Sequence, residues 1–260
     1  PETARWRDWL LPAGGGAIVG TFAILLGGDM GTALTYVVIA VAIFWLAGLP
    51  GLYFAVFGGV AAVAAGVLVA SASTRIQRVS EFFANLLSLP DEKDPTQLDF
   101  ALWAFGSGGI GGSGIGTGVE KWPGNMPAAQ TDFIFAVIGE ELGLGGSILV
   151  VGLFMLLGWS LMQICRYHPD RFARYIAGGV AAWLTGQALV NMMVVTGLLP
   201  VFGVPLPFIS QGGTSLMACL LTIGVVMSCT LAVPDVKDSF RVRRGLAYRA
   251  RALVRKGQND

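Results

Sequence analysis

Long apolar runs separated by glycine- and proline-rich breaks constrain this chain more than any other feature of its sequence. A helix that crosses a bilayer needs about 20 mostly apolar residues. We predict a membrane-spanning helix for each of six such segments: 10–26, 32–47, 52–70, 146–164, 176–197 and 209–232. Only 13% of the residues are charged, against about 25% in soluble domains, which excludes an ordinary soluble fold. The sequence therefore predicts an all-α, polytopic integral membrane helix bundle.

Most lysines and arginines lie on the side of the predicted membrane that holds both ends of the chain. They include Arg166 in a short connection and a cluster in the tail, residues 233–260. Cytoplasmic loops carry an excess of Lys and Arg, so we expect both ends to be cytoplasmic. Residues 71–132 then form an extracytoplasmic loop of one membrane domain, residues 1–260. We expect the tail to rest on anionic membrane lipid rather than to bind nucleic acid.

The predicted extracytoplasmic loop is too long for a plain connector, and long loops are usually functional. Ile76, Val79 and Phe83 recur at helical spacing, which predicts a helix lying in the membrane interface. Residues 106–111 match a dinucleotide fingerprint by letter, but that site requires a preceding strand, so we predict a glycine turn. Residues 133–142 end at a glycine-rich break. Their length favours a re-entrant or interfacial helix over a span.

Asp132 is the leading candidate for a chemical role. It lies at the outer end of the apolar segment 133–142, where burial raises the pKa of a carboxyl group. Such a group suits general-base chemistry on a sugar hydroxyl. The alternative is that Asp132 caps the helix that follows, since aspartate is a favoured N-cap residue. The residue pattern leaves both interpretations open.

Three further acids lie at or within apolar segments. Asp29 occupies a short outer turn between two predicted spans, where an acid is either functional or a helix N-cap. Glu140 and Glu141 lie inside an apolar helix. They either face a water-filled cavity or form a buried pair with Arg78 or Lys121.

A proline- and glycine-rich stretch, residues 205–215, lies where the last predicted span begins. Its two prolines and its glycine pair predict an irregular loop that leads into a helix. A helix N-terminus has unsatisfied N–H groups and a partial positive charge, so it favours an anion. On the preceding span, Gln187 and Asn191 are four residues apart and share a face. Their shared face predicts hydrogen bonds to another helix.

Four segments, in order, resemble motifs of the SEDS family (shape, elongation, division and sporulation), whose members include FtsW, RodA and SpoVE. They are residues 28–34 with 46–50, 106–118, 129–143, and 197–215. The similarity covers nearly the whole chain except the tail. The family resemblance implies a fold of roughly ten membrane-spanning helices. Because the chain begins at Pro1 without an initiator Met, we expect it to be the C-terminal six spans of that fold.

The resemblance implies a peptidoglycan glycosyltransferase in the bacterial cytoplasmic membrane. Such an enzyme polymerises lipid II into glycan strands on the outer face, for cell elongation or division. Its partner is a class B penicillin-binding protein. Two alternatives stay open: a lipid II flippase, and a non-catalytic membrane scaffold for a penicillin-binding protein.

The resemblance also assigns roles to residues. Asp132 corresponds to the catalytic aspartate and Asp29 to the family's second recurrent acid. The expected substrate-binding residues are Asp29, Arg75, Arg78, Lys121, Gln130, Ser210, Gln211, Gly212 and Gly213. A divalent cation, Mg²⁺ or Mn²⁺, is expected to assist the leaving pyrophosphate, and no organic cofactor is expected. The metal ligands are not identified by the sequence.

Two departures from the family pattern lie close to these residues. The usual Glu-Ala-His-Thr-Asp reads Ala128-Ala129-Gln130-Thr131-Asp132 here, so one carboxylate and one imidazole are missing beside the candidate base. Gln211 replaces the usual tyrosine. These changes leave the implied reaction class in place, but they leave open which member of the family this is.

Overall fold

The computed structural model describes residues 6–56, 58–59, 95–122, 124–126, 128–201, 203–231 and 233. Within them, six helices have defined bounds: α1 (Trp6–Leu26), α2 (Met30–Leu46), α3 (Gln97–Gly108), α4 (Ile134–Tyr167), α5 (Arg171–Val195) and α6 (Gly213–Leu231). Residues 51–56 are also helical, but most of the predicted span 52–70 lies outside the described residues. Further predicted features also lie outside the described residues: Arg75, Arg78, the interface helix and the basic tail after residue 233.

The prediction of an all-α membrane bundle is confirmed. Among the described residues, α4, α5 and α6 are long and apolar enough to cross a membrane. Two shorter apolar helices, Ala13–Leu26 and Gly31–Leu46, correspond to the first two predicted spans. The predicted boundaries differ from the observed ones by a few residues, except at the start of α4.

Three of the helices begin at a polar residue whose side chain accepts hydrogen bonds from N–H groups that have no partner within the helix. The Asp29 carboxylate accepts a hydrogen bond from the Thr32 N–H at the start of α2. Thr96 and Asp99 form a reciprocal capping box at the start of α3. Asp170 accepts from two N–H groups of the first turn of α5. Each cap sets where a short connection ends and a helix begins.

The start of α4 contains the glycine break that the sequence predicts after residues 133–142. Two helical parts meet there across a kink at Gly143, whose φ of 65° is not helical. The neighbouring Leu144 N–H donates to the Gly109 carbonyl at 2.9 Å. The predicted break is therefore confirmed, and the re-entrant or interfacial placement of the short part before it stays a prediction.

Helix α3 was not predicted, and it lies within the segment 71–132 that we predict to be extracytoplasmic. It packs against α4, while α2 packs against α5 and α1 packs against α2. Helices α4 and α5 pair most extensively and form the centre of the bundle. Gly178 on α5 allows close approach to α2, since a side chain there would meet Leu46.

Two clusters of buried side chains hold the bundle together, one toward each end of α4. The cluster at the start of α4 includes Phe133, Phe135, Met192, Val195 and Leu206. The cluster at the other end includes Leu161, Cys165, Ala177, Leu184 and Cys219. The free cysteines Cys165 and Cys219 are buried packing residues. Asp132 lies beside the first cluster.

Candidate active site

Two segments that are distant in sequence meet at the start of α4. We call residues 128–133 the Asp132 turn and residues 203–212 the 203–212 loop. The Ser210 hydroxyl donates to the Thr131 carbonyl at 2.6 Å and accepts from the Leu206 N–H at 2.7 Å. The Gln211 N–H donates to the Gln130 carbonyl at 2.9 Å. These bonds join the loop to the turn, so the two act as one surface.

Two amide side chains of α5 form hydrogen bonds with the Asp132 turn and the 203–212 loop. The Gln187 amide donates to the Pro205 carbonyl at 2.8 Å. The Asn191 amide donates to the Asp132 carbonyl and to the Val204 carbonyl, each at 2.7 Å. The predicted shared face of Gln187 and Asn191 is therefore confirmed. The predicted partner was wrong, since both side chains bind main-chain carbonyls outside the helices.

The Asp132 carboxylate is free of hydrogen-bond partners among the residues that the structure describes. Phe133, not Asp132, is the N-cap of α4, and no side chain caps that helix. The N-cap interpretation of Asp132 is therefore wrong. A Cβ placed on Gly203 would lie 3.5 Å from Asp132 Oδ2, so the carboxylate faces the backbone of the 203–212 loop at a position without a side chain.

Two effects raise the pKa of Asp132. Partial burial disfavours the charged form and contributes most, and the negative charge of Asp29 adds to it. Asp29 itself is exposed, and its pKa is lowered by hydrogen bonds from the Thr32 hydroxyl and the Thr32 N–H. The N-cap interpretation of Asp29 is confirmed. Its charge also acts on Asp132, so the two acids belong to one electrostatic site.

A second group of acids lies two turns further along α4, against residues 108–122, which we call the glycine loop. Glu140 is only 2% exposed. Its Oε1 accepts from the Val119 and Glu120 N–H groups at 2.5 and 3.2 Å, and its carbonyl accepts from the Ser113 N–H and hydroxyl. The glycine loop follows a helix, not a strand, and packs against α4. Residues 109–111 form the predicted glycine turn, whereas residues 106–108 are the end of α3.

Glu141 makes an ion pair with Lys121, with 2.6 Å between Oε1 and Nζ. The Lys121 ammonium also donates to the Gly116 carbonyl at 2.9 Å. The sequence offered a pair with Lys121 as one of two possibilities, and the structure contains it. The Lys121 ammonium, which the family resemblance implies as a substrate-binding group, is therefore paired with Glu141 within the protein.

The other predicted binding residues that the structure describes belong to the Asp132 turn, the 203–212 loop or the start of α6. Gln130 and Gln211 are exposed, and Gly213 is the first residue of α6. Ser210 is 8% exposed and its hydroxyl is engaged twice within the protein. Ser210 therefore shapes the loop. The contact of Asn191 with the Asp132 turn was not predicted, and residue spacing within α5 alone gives no signal for it.

Comparison with known proteins places this arrangement in a family. Residues 1–233 match the family model for FtsW, RodA and SpoVE, described as a cell cycle protein. The chain is 37% identical over 247 residues to a probable peptidoglycan glycosyltransferase FtsW from Mycobacterium tuberculosis, covering 94% of this chain and 46% of the relative. It is 34% identical over 227 residues to stage V sporulation protein E from Bacillus subtilis, covering 86% and 60%.

Two solved structures are similar in fold. One belongs to a study of the structural coordination of polymerization and crosslinking by a peptidoglycan synthase complex. It matches with a TM-score of 0.64 and 27% identity, over 87% of this chain and 62% of that one. The other is a mutant of the rod shape determining protein RodA from Thermus thermophilus, with a TM-score of 0.55 and 26% identity, over 87% and 57%. The chain spans about half the length of the curated relatives it matches.

Proposed function

Because this chain belongs to the SEDS family of FtsW, RodA and SpoVE, we propose that the full-length protein is a peptidoglycan glycosyltransferase. It polymerises lipid II into glycan strands on the outer face of the cytoplasmic membrane. Both ends of this chain are cytoplasmic in this proposal, which rests on the distribution of lysine and arginine. The relatives named as probable glycosyltransferases support the reaction class.

The observation that supports this chemistry best is the carboxylate of Asp132. It is half-buried, it has no hydrogen-bond partner among the described residues, and its pKa is raised by burial. A general base works best when its pKa is closer to the working pH and its oxygen is free to receive a proton. Asp132 meets both requirements. Glu140 accepts backbone N–H groups through Oε1 and is almost fully buried, and Glu141 is paired with Lys121.

In the proposed reaction, Asp132 accepts the proton of the acceptor sugar hydroxyl. The hydroxyl oxygen forms a bond to the anomeric carbon of the donor. The bond between that carbon and the lipid-linked pyrophosphate breaks, and the pyrophosphate leaves with the electron pair. Gln130 and Gln211 lie on the same surface as Asp132 and are placed to orient the sugars. The start of α6 at Gly213 offers N–H groups and a partial positive charge to the pyrophosphate.

A divalent cation is part of the proposal. Among the described residues, no three His, Cys, Asp or Glu side chains form a group that would hold a metal. Mg²⁺ is commonly bound by one or two carboxylates together with substrate phosphates, and the exposed Asp29 carboxylate fits that mode. When bound, the cation would supply charge stabilisation to the leaving pyrophosphate.

A class B penicillin-binding protein is the proposed partner. Support comes from the similar structure whose description joins polymerization to crosslinking in one synthase complex. The partner would crosslink the strands that this protein extends. Glycan synthesis should therefore be measured with the two proteins together.

The test is glycan-strand formation from purified lipid II, with native protein against Asp132→Asn. Asparagine keeps the size of the side chain but cannot accept the proton. We expect a loss of about 10²–10⁴-fold in rate, with folding and partner binding unchanged. Full retention of polymerisation would overturn the assignment of Asp132 as the base. Polymerisation lost together with lipid II movement across vesicles would instead indicate a flippase.

A further inference from the structure

We propose that Asn191 is a positioning residue for Asp132, a role that rests on the proposed function. Its amide holds the main chain of Asp132 and the main chain of the 203–212 loop at once. The base and the loop that faces it would then be kept at a fixed separation by one side chain of α5. Asn191 touches no reacting atom and acts through Asp132.

The geometry identifies the orientation of the Asn191 amide. Two carbonyl oxygens, of Asp132 and Val204, lie 2.7 Å from the same nitrogen. An amide NH₂ group has two protons and can donate both. Turning the amide over would place its oxygen against two acceptor oxygens, which is repulsive. Both protons of Asn191 are therefore committed to these two carbonyls.

Burial makes this contact rigid. Asn191 is 1% exposed, and its neighbours on α5, Met192 and Val195, belong to the buried cluster beside Asp132. The Asn191 Oδ1 atom has no hydrogen-bond partner among the described residues, and burying such an atom is costly. Hydrophobic packing would favour leucine at this position, so the amide is explained by the two carbonyls that it holds.

Gln187 provides a matched control on the same face of α5. It lies one helical turn earlier, and its amide also donates to a carbonyl of the 203–212 loop, that of Pro205. It makes no hydrogen bond with the Asp132 turn among the residues described. A variant of Gln187 loosens the loop without releasing Asp132, whereas a variant of Asn191 releases both.

The experiment measures the rate at saturating lipid II for full-length protein with its penicillin-binding partner. Asn191→Leu and Gln187→Leu are each made in the native protein and in the Asp132→Asn background. We expect Asn191→Leu to lower kcat about 10²-fold, since displacement of a catalytic group by about 1 Å has effects of this size. Gln187→Leu should lower kcat only a few-fold. In the Asp132→Asn background, Asn191→Leu should add little, because the group through which it acts is gone.

Equal losses for the two leucine variants, or losses by Asn191→Leu that multiply with Asp132→Asn, would overturn the positioning role. The conservative Asn191→Gln should not restore kcat, because its amide is displaced by one methylene group. Full activity of Asn191→Gln would also count against the proposal.

A readout without polymerisation separates this proposal from the proposed function. Carbodiimide labelling of the Asp132 carboxyl group, followed by peptide mass spectrometry across pH, reports its protonation and exposure. Release of the Asp132 turn should expose the carboxyl to water. The labelling midpoint should therefore move to lower pH in Asn191→Leu and stay in place in Gln187→Leu. Identical midpoints in native protein and both variants would sink the inference, while an inactive native protein with shifted midpoints would sink only the glycosyltransferase assignment.

Discussion

The acids near the start of α4 differ in the partners that the protein provides for their carboxylates. Glu140 and Glu141 lie on α4 against the glycine loop, where two backbone N–H groups bind Oε1 of Glu140 and the Lys121 ammonium binds Glu141. Asp132 lies just before α4, at the joined surface of the Asp132 turn and the 203–212 loop, with no such partner among the described residues. Engaged and unengaged carboxylates thus lie eight and nine positions apart in the chain.

This difference teaches how to separate structural acids from reactive ones in an apolar setting. Glu140 is more deeply buried than Asp132, so burial alone would select Glu140, whereas the criterion of a carboxylate without donors among the described residues selects Asp132. The Glu140 carboxylate accepts backbone N–H groups and holds the glycine loop in place. A half-buried carboxylate without donors is free to take up a proton, which is what a base requires.

The largest effect that tests this comparison is expected at Glu140. Glu140→Ala removes the acceptor for the Val119 and Glu120 N–H groups, at a cost of about 3 kcal/mol. Thermal unfolding of the full-length protein in detergent should show a lower Tm, and the shift per kcal/mol is smaller the larger the protein is. Asp132→Ala is the matched control and should not lower Tm comparably, because its carboxylate makes no hydrogen bond to the described residues. Equal losses of Tm would erase the distinction between the two acids.

A smaller effect is expected from Asp29, which links the cap of α2 to the electrostatics of Asp132. Asp29→Asn keeps a good N-cap but removes a negative charge that raises the pKa of Asp132. In the proposed function, Asp132 acts as a base when it is deprotonated, so activity should fall as pH drops through its pKa. Lowering that pKa should move the acidic limb of the polymerisation rate profile to lower pH. The profile is normalised to the maximal rate of each variant, because Asp29 is also the proposed cation-binding residue. Asp170→Asn, which changes the N-cap of α5, is the control and should leave the acidic limb in place. A shift of the limb to higher pH in Asp29→Asn would refute the electrostatic coupling between Asp29 and Asp132.

The smallest effect is expected for the ion pair between Lys121 and Glu141. The two side chains are 24% and 15% exposed, and partly exposed pairs couple by about 1 kcal/mol or less. A double-mutant cycle with Lys121→Met and Glu141→Gln should therefore give Tm changes of at most a few degrees. If Lys121→Met raised KM for lipid II and Glu141→Gln did not, Lys121 would be a substrate contact in addition to an ion-pair partner.

The helix bundle was predictable from the sequence because apolar length is a local pattern that indicates spans. An acid at the end of an apolar segment singled out Asp132 as a candidate, and its role as the base stays a prediction. Helix α3 was missed because its 12 residues are too few for a span. A local signal was present nonetheless, since Thr96 and Asp99 have the spacing of a capping box.

The contacts that distinguish the acids were not predictable for a physical reason. The donors to Glu140 are backbone N–H groups about 20 residues earlier in the chain, and every residue except proline has such a group. Asn191 likewise binds carbonyls, one of them 59 residues earlier. Helical spacing shows which face carries a side chain, but not which distant backbone folds onto that face.

The length of α4 exceeds what a membrane crossing requires, and this bears on where Asp132 lies relative to the hydrocarbon layer. At 1.5 Å per residue its 34 residues extend about 51 Å, whereas the hydrocarbon layer of a bilayer is about 30 Å thick. The part after the Gly143 kink, about 36 Å long, is sufficient to cross that layer. The part before the kink is about 13 Å long and is not needed to cross that layer. In the proposed function, these extra turns would keep Asp132 outside the hydrocarbon, where the sugar of a lipid-linked substrate lies.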